Sequence, residues 1–313
     1  MDRMQTRASI FALTAAGVLW GLSVPLTKVS LSWLGPSWLT VARFALAAPV
    51  LAVVGRRGLR AALDLRVAGA GAVGFGAVIV LQNAGLTRTN VSHAAVLVGA
   101  APILVAMFAA GLGRGLPRAS SCGGYALALV GVGLVAGAGG GGATARGDLL
   151  VLASVVLSAA LVTIQPWLLA GREAAAVTAV QAGAGALAAL PAALVTEGWP
   201  PAPTHPGPLL AFAALSLGGT ALPFPLFAFG QARVPAALAG AFLNLEPVVG
   251  AAVGWLAFGD AATVAQVAGA GAVLAGIAVS ALSPVSRRRA GFWGVRAPAP
   301  LRFGLRASAD AGS

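Results

Sequence analysis

The sequence predicts an all-α polytopic membrane protein with ten transmembrane helices arranged as two inverted five-helix repeats. Three observations lead to this prediction. Of the 313 residues 58% are hydrophobic and only 9% are charged, ten apolar stretches are long enough to cross a bilayer, and the two halves of the chain align with each other. A soluble domain carries about a quarter of its residues as Asp, Glu, Lys and Arg, so this chain has too few charges to cover a surface in water. Abundant apolar residues also exclude intrinsic disorder.

Each of the ten apolar stretches contains 17 to 23 residues, close to the roughly 20 that a helix needs to cross the hydrocarbon core. Because backbone groups in lipid must satisfy their hydrogen bonds within the segment, each stretch is predicted to be a helix. The predicted spans are residues 10–29, 38–54, 67–86, 91–112, 122–138, 149–170, 174–195, 209–229, 236–258 and 264–282. Within them only Lys28, Arg43 and Glu246 are charged.

The basic residues alternate strongly between loops. One set of alternate loops, together with the two termini, holds sixteen of the twenty Lys and Arg residues, and the other set holds three when Lys28 at the outer end of its span is counted. Cytoplasmic loops are enriched in Lys and Arg, so both termini are predicted to lie in the cytoplasm, as an even number of spans requires. The charges do not follow one polar face, so the net charge of +12 does not indicate nucleic-acid binding. Cys122 is the only cysteine, and the sequence predicts neither a metal site nor a cofactor.

The two halves of the chain align at a fixed offset of 145 residues without a gap. Under this shift Arg88 falls on Arg233 and Pro102 on Pro247. Each half holds five predicted spans, and an odd number makes the second copy enter the membrane from the opposite side, as in transporters built from inverted repeats.

The basic tail is either a solvated flank or a segment attracted to anionic lipids. The predicted organisation is a cytoplasmic N-terminus (1–8), a first repeat (9–143), a second repeat (144–283) and a basic cytoplasmic tail (284–313).

Glu246 lies about 15 Å along its span, near the bilayer centre. A carboxylate at this depth costs about 2.5–3.5 kcal/mol on insertion, and such residues usually face a cavity or a partner. Two roles fit this position. Glu246 either faces a cavity, where it binds substrate or a proton, or it shapes the helix together with the following Pro247.

Further candidates for substrate binding are polar or aromatic residues within or near the spans. Arg43 pairs with Glu246 or with a substrate carboxylate, or its head snorkels to the lipid headgroups. Trp20, with Gly17 and Gly21 at a close helix crossing, either stacks on the substrate or serves packing alone. The amides either bond neighbouring helices or line a polar passage. His93, near the outer end of the fourth span, either belongs to the site or is a solvated or packing residue. The candidate substrate-binding residues are Glu246, Arg43, Trp20, Asn83, Gln82, Gln165, Asn244 and His93.

Several short stretches carry a family resemblance. The ninth span contains Leu245-Glu246-Pro247 and is followed by Phe258-Gly259-Asp260, and the first contains Leu19-Trp20-Gly21. Together with Ala42-Arg43-Phe44 in the second span, they resemble the EamA family of the drug/metabolite transporter superfamily. The resemblance covers about residues 9–283 in two copies. The chain departs from the family pattern at Asp260, where Glu is usual, and at residues 113–115, where the first copy has no acidic residue.

This resemblance implies a fold in which the first four helices of each half surround a central cavity and the fifth and tenth helices pack together. It also implies a carrier of the inner (plasma) membrane, often an exporter, for small metabolites or amphipathic compounds.

We therefore expect a secondary transporter that exports a small organic metabolite, such as an amino acid or an amphipathic compound, by alternating access between two inverted halves. The alternative is a membrane-embedded enzyme or a lipid-handling protein on the same scaffold. A single carboxylate within the spans disfavours enzyme chemistry, and the chain has no P-loop for ATP hydrolysis. Proton coupling through Glu246 and facilitated diffusion both fit the sequence, as do a monomer and a homodimer.

Overall fold

The computed structural model describes residues 3–89, 97–112, 118–136, 144–203, 205–257 and 263–282. Every regular element within these ranges is helical. The α-helices are α1 (Arg3–Ser30), α2 (Pro36–Val54), α3 (Leu59–Ala62), α4 (Leu65–Gly71), α5 (Val78–Leu86), α6 (Ala101–Gly111), α7 (Ala119–Ala136), α8 (Ala145–Leu168), α9 (Ala174–Glu197), α10 (Pro206–Ser216), α11 (Pro223–Gln231), α12 (Ala236–Ala241), α13 (Leu245–Ala257) and α14 (Val264–Leu282). A π-helical turn joins α4 to α5 (Ala72–Ala77), a second joins α10 to α11 (Leu217–Ala221), and a 3-10 turn joins α12 to α13 (Phe242–Asn244).

The chain is an all-α polytopic membrane protein. In its described part, six helices are long and apolar enough to cross a membrane: Gln5–Thr27, Pro36–Val54, Leu65–Leu86, Ala145–Leu168, Ala174–Glu197 and Pro206–Gln231. The other four predicted spans correspond to apolar helices of 10–17 residues, which are Leu97–Gly111, Ala119–Leu134, Leu238–Gly250 and Val264–Ser280. The first helix also begins earlier than its predicted span, at Arg3.

The two π-helical turns occupy corresponding places in the two halves. Ala72 begins the first turn and Leu217 begins the second, and these residues are 145 apart. The second turn comes directly before Pro223, whose missing N–H interrupts the ladder of backbone hydrogen bonds. No proline lies between residues 65 and 86, so the first turn forms without that cause. The third and eighth predicted spans are therefore interrupted at the same point.

Helices α2 and α9 correspond under the same offset and run antiparallel in contact. At one end, the Glu197 carboxylate accepts hydrogen bonds from the backbone N–H groups of Ser37 (2.7 Å) and Trp38 (3.1 Å). At the other end, a Cβ atom added to Gly55 would lie 2.5 Å from the backbone nitrogen of Ala176. The start of α2 thus lies beside the end of α9, and the end of α2 lies beside the start of α9. Corresponding helices of opposite direction are what an inverted repeat requires.

Helices α7 and α14, the fifth and tenth predicted spans, pack closely together. A Cβ atom on Gly124 would lie 2.7 Å from the carbonyl oxygen of Gly276, and one on Gly131 would lie 2.6 Å from that of Gly269. The 145-residue shift turns the first contact into the second. The two contacts are therefore related by an approximate two-fold rotation that exchanges α7 and α14. Only glycine allows two helix backbones to approach this closely.

The largest buried apolar cluster joins both halves. It includes Leu13 on α1, Val105 on α6, Phe227 on α11, Phe242 before α13 and Val273 on α14. Trp20 is partly buried and packs against this cluster. The core thus holds α1 next to the segment that carries Glu246.

Candidate substrate-binding site

Arg43 is buried inside the protein, with 7% of its surface exposed. Its Nε donates a hydrogen bond to Thr220 Oγ1 (3.0 Å), and its Nη2 donates to the carbonyl oxygen of Gly219 (3.4 Å). The side chain therefore neither snorkels to the headgroups nor pairs with Glu246, the two intramolecular roles that the sequence left open. Instead it ties α2 to the π-helical turn between α10 and α11.

The π-helical turn supplies both acceptors for a physical reason. In an α-helix the carbonyl oxygen of Gly219 would receive the N–H group four residues later, but that residue is Pro223, which has none. This carbonyl is free to accept from Arg43. The Thr220 hydroxyl donates to the carbonyl oxygen of Leu215 (3.0 Å), which orients its lone pairs toward the guanidinium.

Glu246 lies in the first turn of α13 and is partly exposed. Its carboxylate makes no hydrogen bond or ion pair with the described residues. The charges of Arg43 and Glu246 are close enough to interact, yet the two side chains do not form an ion pair. A carboxylate in this state keeps its lone pairs available for a cation or a proton.

Helix α1 holds the backbone around Glu246 in place. A Cβ atom on Gly17 would lie 2.7 Å from the carbonyl oxygen of Phe242, and one on Gly21 would lie 2.8 Å from that of Glu246. The close helix crossing expected at these two glycines is therefore present. The partner of α1 at this crossing is the segment that carries Glu246.

Five aromatic rings form a continuous cluster next to these charges. Trp20 lies 5.2 Å from both Phe224 and Phe227, measured between ring centroids. Phe224 is in turn 4.6 Å from Phe75 and 5.8 Å from Phe44. The cluster joins α1, α2, the first π-helical turn and α11. The sequence indicated only Trp20, because the four phenylalanines come from three separate segments of the chain, with only Phe224 and Phe227 on one helix.

The cluster also contacts the charged part of the site. The guanidinium carbon of Arg43 lies 5.4 Å from the ring centroid of Phe44, within the range of a cation–π interaction. Trp20 and Phe224 are only partly buried, so both rings retain surface that a ligand can contact.

Two of the predicted amides have partners within the protein. Asn83 donates from Nδ2 to Thr40 Oγ1 (3.2 Å) and to the carbonyl oxygen of Pro36 (3.3 Å). Gln165 and Gln181 exchange a pair of hydrogen bonds, each 2.8 Å long. These amides join α5 to α2 and α8 to α9. A substrate could reach them only by replacing those bonds.

Two other predicted amides have no such partners. Asn244 is fully buried, and among the described residues neither its Oδ1 nor its Nδ2 has a hydrogen-bond partner. Gln82 is partly buried and makes no hydrogen bond with the described residues. A third amide, which the sequence did not single out, is Gln231, whose buried Oε1 also lacks a partner. Such groups are rare in native proteins, and Asn244 lies two residues before Glu246.

Two of the charged or polar span residues named in the sequence analysis have no described side chain. His93 lies outside the described residues, and so does the side chain of Lys28. The described part of the chain has no group of three or more His, Cys, Asp or Glu residues placed to hold a metal ion. The structure therefore brings together Trp20, Arg43 and Glu246, with Asn244 close to Glu246 in the chain.

Comparison of the sequence with known proteins identifies a family and a relative that it resembles. The profile of the EamA-like transporter family matches twice, over residues 7–137 and 145–282. A protein of Streptantibioticus cattleyicolor named "Probable terminal-alkyne amino-acid exporter" is 28% identical over 292 residues, which cover 91% of this chain and 97% of that protein.

Comparison with solved structures supports the same fold. A chain described only as a crystal structure of a protein is similar to this one with a TM-score of 0.76 and 22% sequence identity. The similarity covers 88% of this chain and 96% of the other.

Proposed function

Because the chain belongs to the EamA-like transporter family, we propose that it exports a small organic metabolite, such as an amino acid or an amphipathic compound, by alternating access. Family membership points to membrane transport of small molecules rather than to catalysis. One observation carries the finer proposal. Arg43 and Glu246 are opposite charges inside the helical bundle, close enough to interact but not paired with each other.

The energetics of these charges favour a ligand with a charge of its own. Each ionised group within a span costs about 2.5–3.5 kcal/mol on insertion scales, and an ion pair between the two would offset part of that. A bound molecule that presents a carboxylate to Arg43 and an ammonium group to Glu246 offsets both. A zwitterionic amino acid carries the two groups on one carbon atom.

The aromatic cluster supports an apolar portion in the same molecule. Trp20 and Phe224 present partly exposed rings beside the buried Arg43. Binding sites of this kind combine apolar walls with a few convergent polar groups that fix orientation. The relative from Streptantibioticus cattleyicolor is named as an exporter of an amino acid, and a substrate of that kind suits this combination.

The internal repeat supports the alternating-access mechanism. If two like-built halves lie in the membrane in opposite senses, exchanging their conformations converts a site open to one side into a site open to the other. The antiparallel contact of α2 with α9 and the two-fold contact of α7 with α14 are consistent with such halves. The distribution of basic loops supports cytoplasmic termini in the inner (plasma) membrane.

A flux experiment tests the proposal. The purified full chain is reconstituted into liposomes, and counterflow of labelled amino acids is measured for the native protein, Glu246→Gln and Arg43→Gln. Loss of one charge-assisted hydrogen bond to a ligand is worth about 1.5–3 kcal/mol, so each variant should lower the affinity at least about tenfold. Arg57→Gln, at an exposed loop position, is the matched control and should leave flux unchanged.

Two results would decide against this assignment. Native flux in both substituted variants would remove the pair from the mechanism, and an absence of counterflow across the whole panel would contradict export of such metabolites. Repeating the assay with an imposed pH gradient separates proton coupling through Glu246 from facilitated diffusion, since only a coupled carrier accumulates substrate against its gradient.

A further inference from the structure

Arg43 contacts the π-helical turn between α10 and α11 through only one edge of its guanidinium group. A guanidinium has five N–H donors in a fixed fork, and the Nε–H group points to the same side as one N–H of Nη2. Arg43 uses this side for the turn, since Nε donates to Thr220 Oγ1 and Nη2 donates to the carbonyl oxygen of Gly219. Its Nη1 makes no hydrogen bond with the described residues. The end of the fork, formed by Nη1 and Nη2, therefore keeps two parallel N–H groups for a ligand.

The Thr220 hydroxyl is the main anchor of this arrangement. Its oxygen lies 3.0 Å from Arg43 Nε, an ordinary hydrogen-bond length, whereas the contact of Nη2 with Gly219 is longer at 3.4 Å. The hydroxyl donates its own hydrogen to the carbonyl oxygen of Leu215 (3.0 Å), so toward Arg43 it acts only as an acceptor. Thr220 is 1% exposed, so bulk water has no access to replace this acceptor.

The end of the fork fits a carboxylate. Its two parallel N–H groups match the two oxygen atoms of a carboxylate, and such bidentate pairs are stronger and more specific than single hydrogen bonds. A primary amide presents one acceptor oxygen beside an NH2 group that cannot accept. Glu246, whose charge acts on Arg43, forms no ion pair with it and so leaves this edge unoccupied. The orientation of the guanidinium thus decides whether the site distinguishes an acid from its amide.

We propose that Thr220 is a positioning residue, which holds Arg43 so that the edge formed by Nη1 and Nη2 binds the carboxylate of the substrate. The inference rests on the proposed export of an amino acid or amphipathic compound, and it adds that the transported molecule carries a free carboxylate. The primary amide of the same compound is a poor ligand. Without the Thr220 hydroxyl, the Nε–H group has lost its acceptor, and the guanidinium turns away from the orientation that aligns its free edge.

Removal of one hydroxyl at nearly constant shape provides the test. Thr220→Val deletes the acceptor, and Thr220→Ser restores it. Thr163 offers a matched control, because it is also buried and its hydroxyl donates to the carbonyl oxygen of Ala159 in its own helix (2.7 Å). Thr163→Val therefore deletes a buried hydroxyl that makes no hydrogen bond with Arg43. Thermal unfolding of the purified full-length variants establishes that all three fold.

The probes are alanine, leucine and phenylalanine, each paired with its primary amide. Their binding to the purified full chain is measured by calorimetry, independently of flux. One hydrogen bond to a charged group is worth about tenfold in affinity or more, so the native protein and Thr163→Val should prefer each acid over its amide by at least about that factor. In Thr220→Val the affinity for the acids should fall about tenfold, while the affinity for the amides stays at the native value. Thr220→Ser should recover most of the preference.

A double variant separates positioning from a general structural effect. In an Arg43→Gln background, Thr220→Val should cause no further loss of acid binding, because the hydroxyl acts on the substrate only through the guanidinium. Losses from independent sites would instead add.

Five results would overturn the positioning role. They are native acid binding by Thr220→Val, equal weakening of acids and amides, failure of Thr220→Ser to recover the preference, additive losses in the double variant, and no binding of any acid by the native protein. The positioning role and the proposed export fail separately. A preference for acids that depends on Thr220 but occurs without counterflow contradicts export alone, whereas counterflow of amino acids that Thr220→Val leaves unchanged contradicts the positioning role alone.

Discussion

The reciprocal hydrogen bonds between Gln165 and Gln181 show how the protein accommodates polar groups in lipid. Both side chains are buried, with 3% and 0% of their surfaces exposed, and each amide donates to and accepts from the other. At this depth no water is available to bond the remaining polar atoms of the two amides. The pair therefore adds a specific contact between α8 and α9 that two apolar residues would not provide.

Removing one member of this pair should be worse than removing both. Gln165→Leu leaves the Gln181 amide buried without a partner, and such a group costs about 1–3 kcal/mol. Gln181→Leu should have a similar effect, whereas the double variant replaces both amides by apolar groups of similar size and should recover most of the loss. Thermal unfolding in detergent measures the series. Additive losses in the double variant would show that the two amides do not depend on each other.

The sequence could identify buried polar residues but not their partners. It indicated Asn83, Gln165 and Glu246 by the same argument, namely a polar group within an apolar span. The structure separates them, because Asn83 and Gln165 have hydrogen-bond partners on a neighbouring helix, whereas Glu246 has none among the described residues. Which helices meet is a tertiary property. For that reason Gln181 and Thr220, the partners of Gln165 and Arg43, were not predicted.

At the level of helices, the crossing of α1 with α13 depends on the absence of side chains. A Cβ atom on Gly21 would lie 2.5 Å from the Cβ of Val249 as well as close to the backbone of Glu246. Atoms at that distance must move apart, and the backbone of α13 cannot move without displacing Glu246. The crossing of α1 with α13 thus fixes where the Glu246 carboxylate lies along the bundle relative to Trp20 on α1.

Gly21→Ala should therefore weaken both stability and transport. Overpacking of a close contact typically costs about 1–3 kcal/mol, and the displaced carboxylate should lower substrate affinity. A Cβ atom on Gly133 of α7 would meet none of the described residues within 4 Å, so Gly133→Ala should be neutral or stabilising, since alanine favours a helix by up to about 1 kcal/mol over glycine. Unfolding temperature and counterflow report the two effects. Equal behaviour of the two variants would mean that the crossing is not tightly packed.

The breaks within helices could be anticipated in only one half. Proline cannot donate a backbone hydrogen bond, so Pro223 and Pro225 account for a distortion of the eighth predicted span, and the π-helical turn ends just before them. The matching turn at Ala72–Ala77 has no proline nearby. There, Gly76 packs closely on Gly185 of α9, a contact between helices that the local sequence does not reveal.

At the scale of the whole molecule, the two halves share a framework but not a site. Under the 145-residue offset Arg43 corresponds to Ala188 and Glu246 to Ala101. The charges therefore interrupt an otherwise repeated arrangement, one in each half. A framework that repeats supplies two related conformations, while a site that does not repeat supplies one binding location. The alignment of the halves therefore predicts an arrangement of helices, whereas it does not predict where the charged residues lie.

Contacts at the two ends of the bundle indicate which loops lie together. Asp64 and Arg172 form an ion pair of 2.9 Å, which joins the connection before α4 to the one between α8 and α9. The backbone N–H of Arg66 and the nearby charge of Arg172 lower the pKa of the Asp64 carboxyl, so it is ionised at neutral pH. Glu197 lies at the opposite end of α9, where it contacts the start of α2.

Surface labelling can test whether corresponding loops face opposite sides. In a Cys122→Ala background, which has no other cysteine, single cysteines are placed at Arg57 and Ala202. These exposed positions differ by 145 residues and so occupy equivalent places in the two halves. Inverted halves predict that a membrane-impermeant maleimide labels Ala202→Cys on intact cells and labels Arg57→Cys only after permeabilisation. Labelling of both on one face would mean that the halves are parallel, and the exchange of conformations that underlies alternating access would lose its structural basis.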